Sequence, residues 1–263
     1  MSACLAMLDA RIRVLLQYRT VAVAGIATQI FFGFVRVMTF TAFYRSSAAA
    51  HPMTHEQVIS YIWLGQAFLL LAMFGVDNEI SEMIRSGTVV YELTRPASVF
   101  WLWYSRCVAA RIAPAAMRAI PQVLLGWAFL GLQFPASVLA LLMFCLALTG
   151  SVALAAAISL LFTLSLLWTI SGEGISRMGP ALVFLLSGIV VPLPLFPQRI
   201  QPILNALPFR GLMDVPFRLY LGQMTWQEGV LALAQQWGWI VGLLLLGRWL
   251  LALGVRRLVV QGG

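Results

Sequence analysis

Lysine is absent from the 263 residues: all 17 basic side chains are arginine. Without it there is no G-x-x-x-x-G-K-[ST] phosphate loop, so this chain carries no ATPase of that type. Acids are scarcer still, 9 in all, and charged residues of both signs make up 10% of the chain. Soluble domains carry roughly 25%, which excludes a soluble fold. Histidine and cysteine are too few and too scattered for a metal centre. His51 and His55 stand four apart, but Pro52 spoils a shared helix face and no third ligand follows. Cys4, Cys107 and Cys145 have no paired spacing and read as small apolar fillers rather than a disulfide framework. No internal repeat is visible, which weakens a secondary-transporter reading. No run alternates with the period of a barrel strand. A secretory signal is also missing, because Asp9, Arg11 and Arg13 fall where its apolar core would lie.

What is present is grease. Hydrophobic residues make up 61% and the mean hydropathy is +0.91. Runs such as VLALLMFCLALTGSVALAAAISLLF are long enough and apolar enough to span a bilayer as helices. The expected fold is therefore an all-α polytopic membrane protein with six transmembrane helices in one domain, 1–263. Residues 1–19 pattern as an amphipathic helix suited to the cytoplasmic headgroup layer. Spans are expected at about 20–44, 54–75, within 99–132 (kinked by Pro114 and Pro121, or beginning late), 137–168, 175–191 and from 225 to Arg256–Arg257. Thr54 with Gln57, and Thr225 with Glu228, have the capping-box spacing that opens a helix. The proline-bearing stretch 188–224 reads as an outer re-entrant helical hairpin between the fifth and sixth spans.

Orientation follows from arginine. With the N-terminus inside, Arg11, Arg13, Arg19, Arg85, Arg95, Arg106, Arg111, Arg177, Arg256 and Arg257 lie on the cytoplasmic side, and only Arg45, Arg199, Arg210 and Arg218 lie outside. Both termini are then cytoplasmic. So is the segment 77–98, where the chain spends its few charges: Asp77, Glu79, Glu82, Arg85, Glu92 and Arg95. A short charged helix gives electrostatic register to a partner, and Ile84, Val89, Val90 and Leu93 offer apolar burial. Gly87 permits a bend and Pro96 ends the element.

Several stretches taken in order resemble the membrane subunits of type-two ABC exporters, in particular the stand-alone permeases of this length. They are QYRT at 17–20, RSGTVVYELTRP at 85–96, SGIVVPLPLFPQRIQPILNALPF at 187–209 and the terminal VVQGG. The resemblance implies that Asp77, Glu79, Glu82, Ile84, Arg85, Gly87, Glu92, Leu93, Arg95 and Pro96 form a coupling helix docked on an ATPase. It also implies that Pro192, Pro194, Pro197, Pro202 and Pro208 belong to an outer gate. Two ABC ATPase subunits, holding ATP and Mg, and a second permease, identical or a paralogue, would complete the assembly in a bacterial cytoplasmic membrane. Membrane lipids would surround it; nucleic acid has no role, and no cofactor is expected in this chain. The Glu-Ala-Ala signature of importers is missing. The chain would be a non-enzymatic permease for an amphipathic or hydrophobic cargo.

Other residues admit two readings. Arg36, inside the first span, is a pathway candidate, although snorkelling to the outer headgroups is the preferred account. Trp63, Trp101, Trp103, Trp226 and Trp249 read as interfacial anchors. Gly238 and Gly242 form a G-x-x-x-G step for close helix packing, and Glu173 near Arg177 reads as a solvated pair. A membrane-embedded enzyme, or a channel or assembly protein without an ATPase, stays open as an alternative.

Overall fold

The computed structural model describes residues 3–46, 51–72, 75–93, 98–168 and 173–255. Described residues are helical, with no strand among them. In chain order the helices are α1 (Ala3–Leu15), α2 (Arg19–Ser46), α3 (His55–Ala67), α4 (Leu69–Ala72), α5 (Asn78–Arg85) and α6 (Val89–Leu93). They continue as α7 (Val99–Phe129), α8 (Val138–Leu164), α9 (Glu173–Leu186), α10 (Gln201–Ala206), α11 (Asp214–Tyr220) and α12 (Trp226–Val255).

Four helical stretches are long and apolar enough to cross a membrane: Thr20–Ser46, Val99–Phe129, Val138–Ser165 and Trp226–Val255. The expected second and fifth spans are shorter. The second is divided at Phe68 into α3 and α4, and the fifth is the 14-residue α9. Both capping boxes form. Thr54 Oγ1 accepts from the Gln57 amide at 3.2 Å while the Gln57 side chain accepts from the Thr54 amide at 3.0 Å. The Thr225 amide donates to Glu228 at 2.8 Å, and the Glu228 amide returns a bond to Thr225 Oγ1 at 3.3 Å.

The core sits where α3 is wrapped by α2, α7, α8 and α11. Val58, Tyr61, Leu64, Leu71, Leu154 and Phe217 are fully enclosed there. α7 runs unbroken through Pro114 and Pro121 rather than starting late. α1 packs lengthwise against α7, so its apolar stripe meets protein as well as any headgroup layer. Trp63 and Trp103 are buried, which corrects their reading as interfacial anchors, whereas Trp101, Trp226 and Trp249 are exposed. Trp63 stacks edge-on to Phe34 with ring centroids 5.2 Å apart. A Cβ built on Gly238 or Gly242 meets nothing within 4 Å, so among the described residues the G-x-x-x-G step has no packing partner. His55 Nε2 lies 2.9 Å from Thr41 Oγ1, and His51 stacks on Tyr44. Arg256, Arg257 and the side chains of Glu173 and Arg177 lie outside the described residues.

Candidate functional site: a charged segment latched to the bundle

The charged segment occupies the end of the bundle formed by the C-terminus of α8 and the N-terminus of α7. Asp77 caps α5, its Oδ1 accepting from the amides of Glu79 at 3.0 Å and Ile80 at 3.1 Å. This satisfies two of the donors that a helix start leaves open. The Asp77 amide in turn donates to Thr163 Oγ1 on α8 at 3.2 Å. Gly87, at φ +72°, turns the chain between α5 and α6 in the left-handed region that glycine occupies without strain.

Apolar side chains of the segment turn inward. Ile80 and Val89 are fully buried among Phe100, Trp103, Leu160 and Leu164, with Met83 and Ile84 packed on the same cluster. This corrects the expectation for Val89, which seats the segment on its own spans instead of burying against a partner; Ile84 stays partly exposed. Amphipathic packing holds the helix tangentially across the bundle end and sends Glu82, Arg85, Ser86, Thr88 and Tyr91 outward, with Glu92 half-buried. Tyr91 is 74% exposed. Leu93 ends α6, its side chain outside the described residues, as are Arg95 and Pro96.

Two of the expected docking acids, Asp77 and Glu79, are paired within the chain. Arg106, in the second turn of α7, reaches Glu79 Oε2 at 2.5 Å and Asp77 Oδ1 at 3.3 Å. Arg11 on α1 closes on Glu79 Oε1 at 2.6 Å. The Arg106 hydrogen bond, reinforced by that from Arg11, holds the Glu79 carboxyl below its ordinary range. Three elements far apart in sequence are thus riveted by one charge cluster. Arg11 and Arg106 carry no local signal, because their partners lie 68 and 27 residues away; only their side-of-membrane count was legible.

At the other end of α8 lies the proline-bearing stretch 188–224, a run of short helical turns. Its prolines set helix starts: Pro194, Pro202 and Pro208 occupy the first positions of short turns at Leu193–Leu195, Gln201–Ala206 and Pro208–Gly211, where a missing N–H costs nothing. Pro192 precedes the first of these turns, and Pro197 is exposed. Arg36 donates to the Ile189 carbonyl at 2.7 Å, which ties α2 to the start of this stretch. Asp214, with no exposed surface, accepts from Tyr61 at 3.4 Å and faces Arg218 at 3.6 Å. Tyr220 receives Trp127 Nε1 at 2.8 Å and donates to the Gln133 carbonyl at 2.8 Å, tying the hairpin to the α7–α8 connection. Between the two ends an apolar cavity of about 460 Å³ opens between α3, α7 and α8, lined by Leu64, Phe68, Ile120, Val123, Phe144 and Leu148.

The family model described as ABC-2 family transporter protein matches residues 28–262. Comparison with curated proteins found no match.

Proposed function

This chain belongs to the ABC-2 transporter family, and from that premise we propose that it is the membrane-spanning permease of an ATP-driven exporter. Membership implies association with an ABC ATPase. Two copies of that ATPase, holding ATP and Mg, act below two permeases, the second identical or a paralogue. The chain crosses a bacterial cytoplasmic membrane six times, with both termini inside; α3 with α4, and α9, supply the two shorter crossings. The outer hairpin is re-entrant and gates the exit. The observation that carries the reading is the capped segment α5–α6, seated by apolar packing across one end of the bundle while Glu82 and Arg85 point away from it. Such an element converts motion of a docked partner into motion of the spans it is latched to. The apolar lining of the 460 Å³ cavity supports an amphipathic or lipid-like cargo over a small polar one.

Charge reversal tests the docking face. Glu82→Lys, Arg85→Glu and Glu92→Lys together should weaken co-purification with the cognate ATPase at least tenfold, and ATP-dependent transport should fall with it. Membrane insertion should stay normal, since none of the three sits in the apolar cluster beneath α5. Unchanged assembly and transport would reduce the segment to a solvated loop.

Orientation is tested separately. In intact cells a membrane-impermeant maleimide should label Gln198→Cys, an exposed hairpin position, and should reach Ser86→Cys only after permeabilisation, each compared with the parent's own cysteines. Labelling of both from the same side would overturn the arrangement of hairpin outside and charged segment inside.

A further inference from the structure

The hairpin end of the bundle holds a second cavity, about 700 Å³, chemically unlike the first. Phe43, Pro52 and Phe196, with the His51 ring against Phe43, form a largely apolar wall; Gln198, Gln223 and Arg218 form a polar one. No carboxylate lines it among the described residues. The amides are largely committed: Gln201, also in the lining, donates to the carbonyls of Pro194 at 3.1 Å and Phe196 at 2.9 Å, and Gln223 donates to Gln57 at 3.0 Å. Arg218 is not. Its contact with Asp214, behind the wall, is 3.6 Å, looser than the roughly 2.7–2.9 Å of a charge-assisted hydrogen bond. Asp214 is shared with Tyr61, and Arg218 Nε is buried with no hydrogen-bond partner among the described residues. A guanidinium with unspent donors therefore stands across a cavity from a face of aromatic and proline surface. Planar donors on arginine suit the oxygens of a phosphate, and the facing wall suits hydrocarbon.

We propose that this cavity binds one anionic membrane lipid, its phosphate on Arg218 and the first part of its chain against Phe43, Pro52 and Phe196. The inference goes beyond the export reading and does not need it, because binding is a property of the permease without its ATPase.

The test titrates the purified, delipidated full chain in detergent, with binding read by native mass spectrometry. Phosphatidylglycerol should bind at least tenfold more tightly than phosphatidylcholine, which carries the same phosphate beside a compensating cation, and than uncharged diacylglycerol. Arg218→Lys keeps the charge and should keep most of that preference. The double variant Asp214→Asn with Arg218→Gln removes the buried pair together and should abolish it. Arg199→Gln, an exposed neighbour outside the lining, should leave it unchanged. If the double variant does not fold, Phe43→Glu serves instead: this half-exposed wall position would set an anion opposite Arg218 and should remove the preference alone. Persistence of the preference in either variant would overturn the proposal, as would equal loss in Arg199→Gln, which would mark diffuse surface attraction. Inorganic phosphate at millimolar concentration should not displace the lipid; if it does so fully, the cavity is a free-anion site and not a lipid site.

Discussion

Replacing Arg106 with methionine should release the charged segment from the bundle while leaving the bundle folded. The guanidinium is 11% exposed and faces two carboxylates, and its Asp77 partner is 12% exposed. Removing Arg106 leaves the buried Asp77 carboxylate without its counter-charge, at a cost of about 3 kcal/mol, whereas the more exposed Glu79 keeps Arg11. Each 1.4 kcal/mol is a factor of ten, so local opening should rise by roughly a hundredfold or more. Amide exchange followed by mass spectrometry in lipid nanodiscs should show faster exchange across residues 77–93 and little change in α8 or α12. In an assembly with its ATPase, transport should collapse while hydrolysis persists, because the docked element is no longer fixed to the spans. Arg11→Met, which leaves the Arg106 contacts in place and removes a more exposed bond, should give the same pattern with a smaller amplitude. Unchanged exchange in the Arg106 variant would show that apolar seating by Ile80 and Val89 suffices.

The second large effect is expected at Gly188, the pivot between α9 and the hairpin. Its φ is +86°, and a Cβ there would lie 2.7 Å from the Tyr61 hydroxyl, 3.2 Å from Leu193 and 3.4 Å from Asp214. Left-handed backbone costs an L-residue roughly 1–2 kcal/mol, and overpacking a filled site about 1–3 kcal/mol more. Gly188→Val should therefore destabilise by about 2–5 kcal/mol and dislodge Tyr61 from Asp214. A thermal shift in detergent should show the loss, with Gly188→Ala milder. Gly238→Ala, where a Cβ meets open space and glycine holds no special angle, should be neutral or slightly stabilising. Equal melting temperatures for the Gly188 and Gly238 variants would contradict this account of the pivot.

What the sequence disclosed here was local or compositional. Capping boxes are readable because both partners lie within one turn, and both formed as expected. Helical membrane character follows from run length and hydropathy alone. Partnerships across elements were not readable. The division of the expected second span at Phe68 has no proline to mark it, and the nearby Gly65 and Gln66 lie inside α3 rather than at the break. Trp63 and Trp103 were misassigned because an indole suits an interface and a core equally, and only the neighbours decide: Phe34 for Trp63, and the apolar cluster beneath α5 for Trp103. For Arg36 the charge within a span was visible, but its partner, the backbone carbonyl of Ile189, carries no side-chain signature.

The contrast between α7 and α8 sets the mechanics of whatever moves. α8 is 27 residues of continuous helix, about 40 Å at 1.5 Å per residue. Its side chains bond both working ends: Thr163 holds the Asp77 amide, and Ser151 holds the Gly211 carbonyl. It is the stiff member. α7 lies alongside, but Pro114 and Pro121 cannot donate to the carbonyls of Ala110 and Met117, and their spacing of two turns notches the rod twice on nearly one side. A beam notched on one side flexes in one plane more easily than in any other. Load applied at Asp77 and Glu79 enters the stiff rod through Thr163 and the compliant one through Arg106 at the same moment. Under the docking proposed above, the two would not follow each other in pure translation, and a thrust at the charged end would reach the hairpin as a tilt.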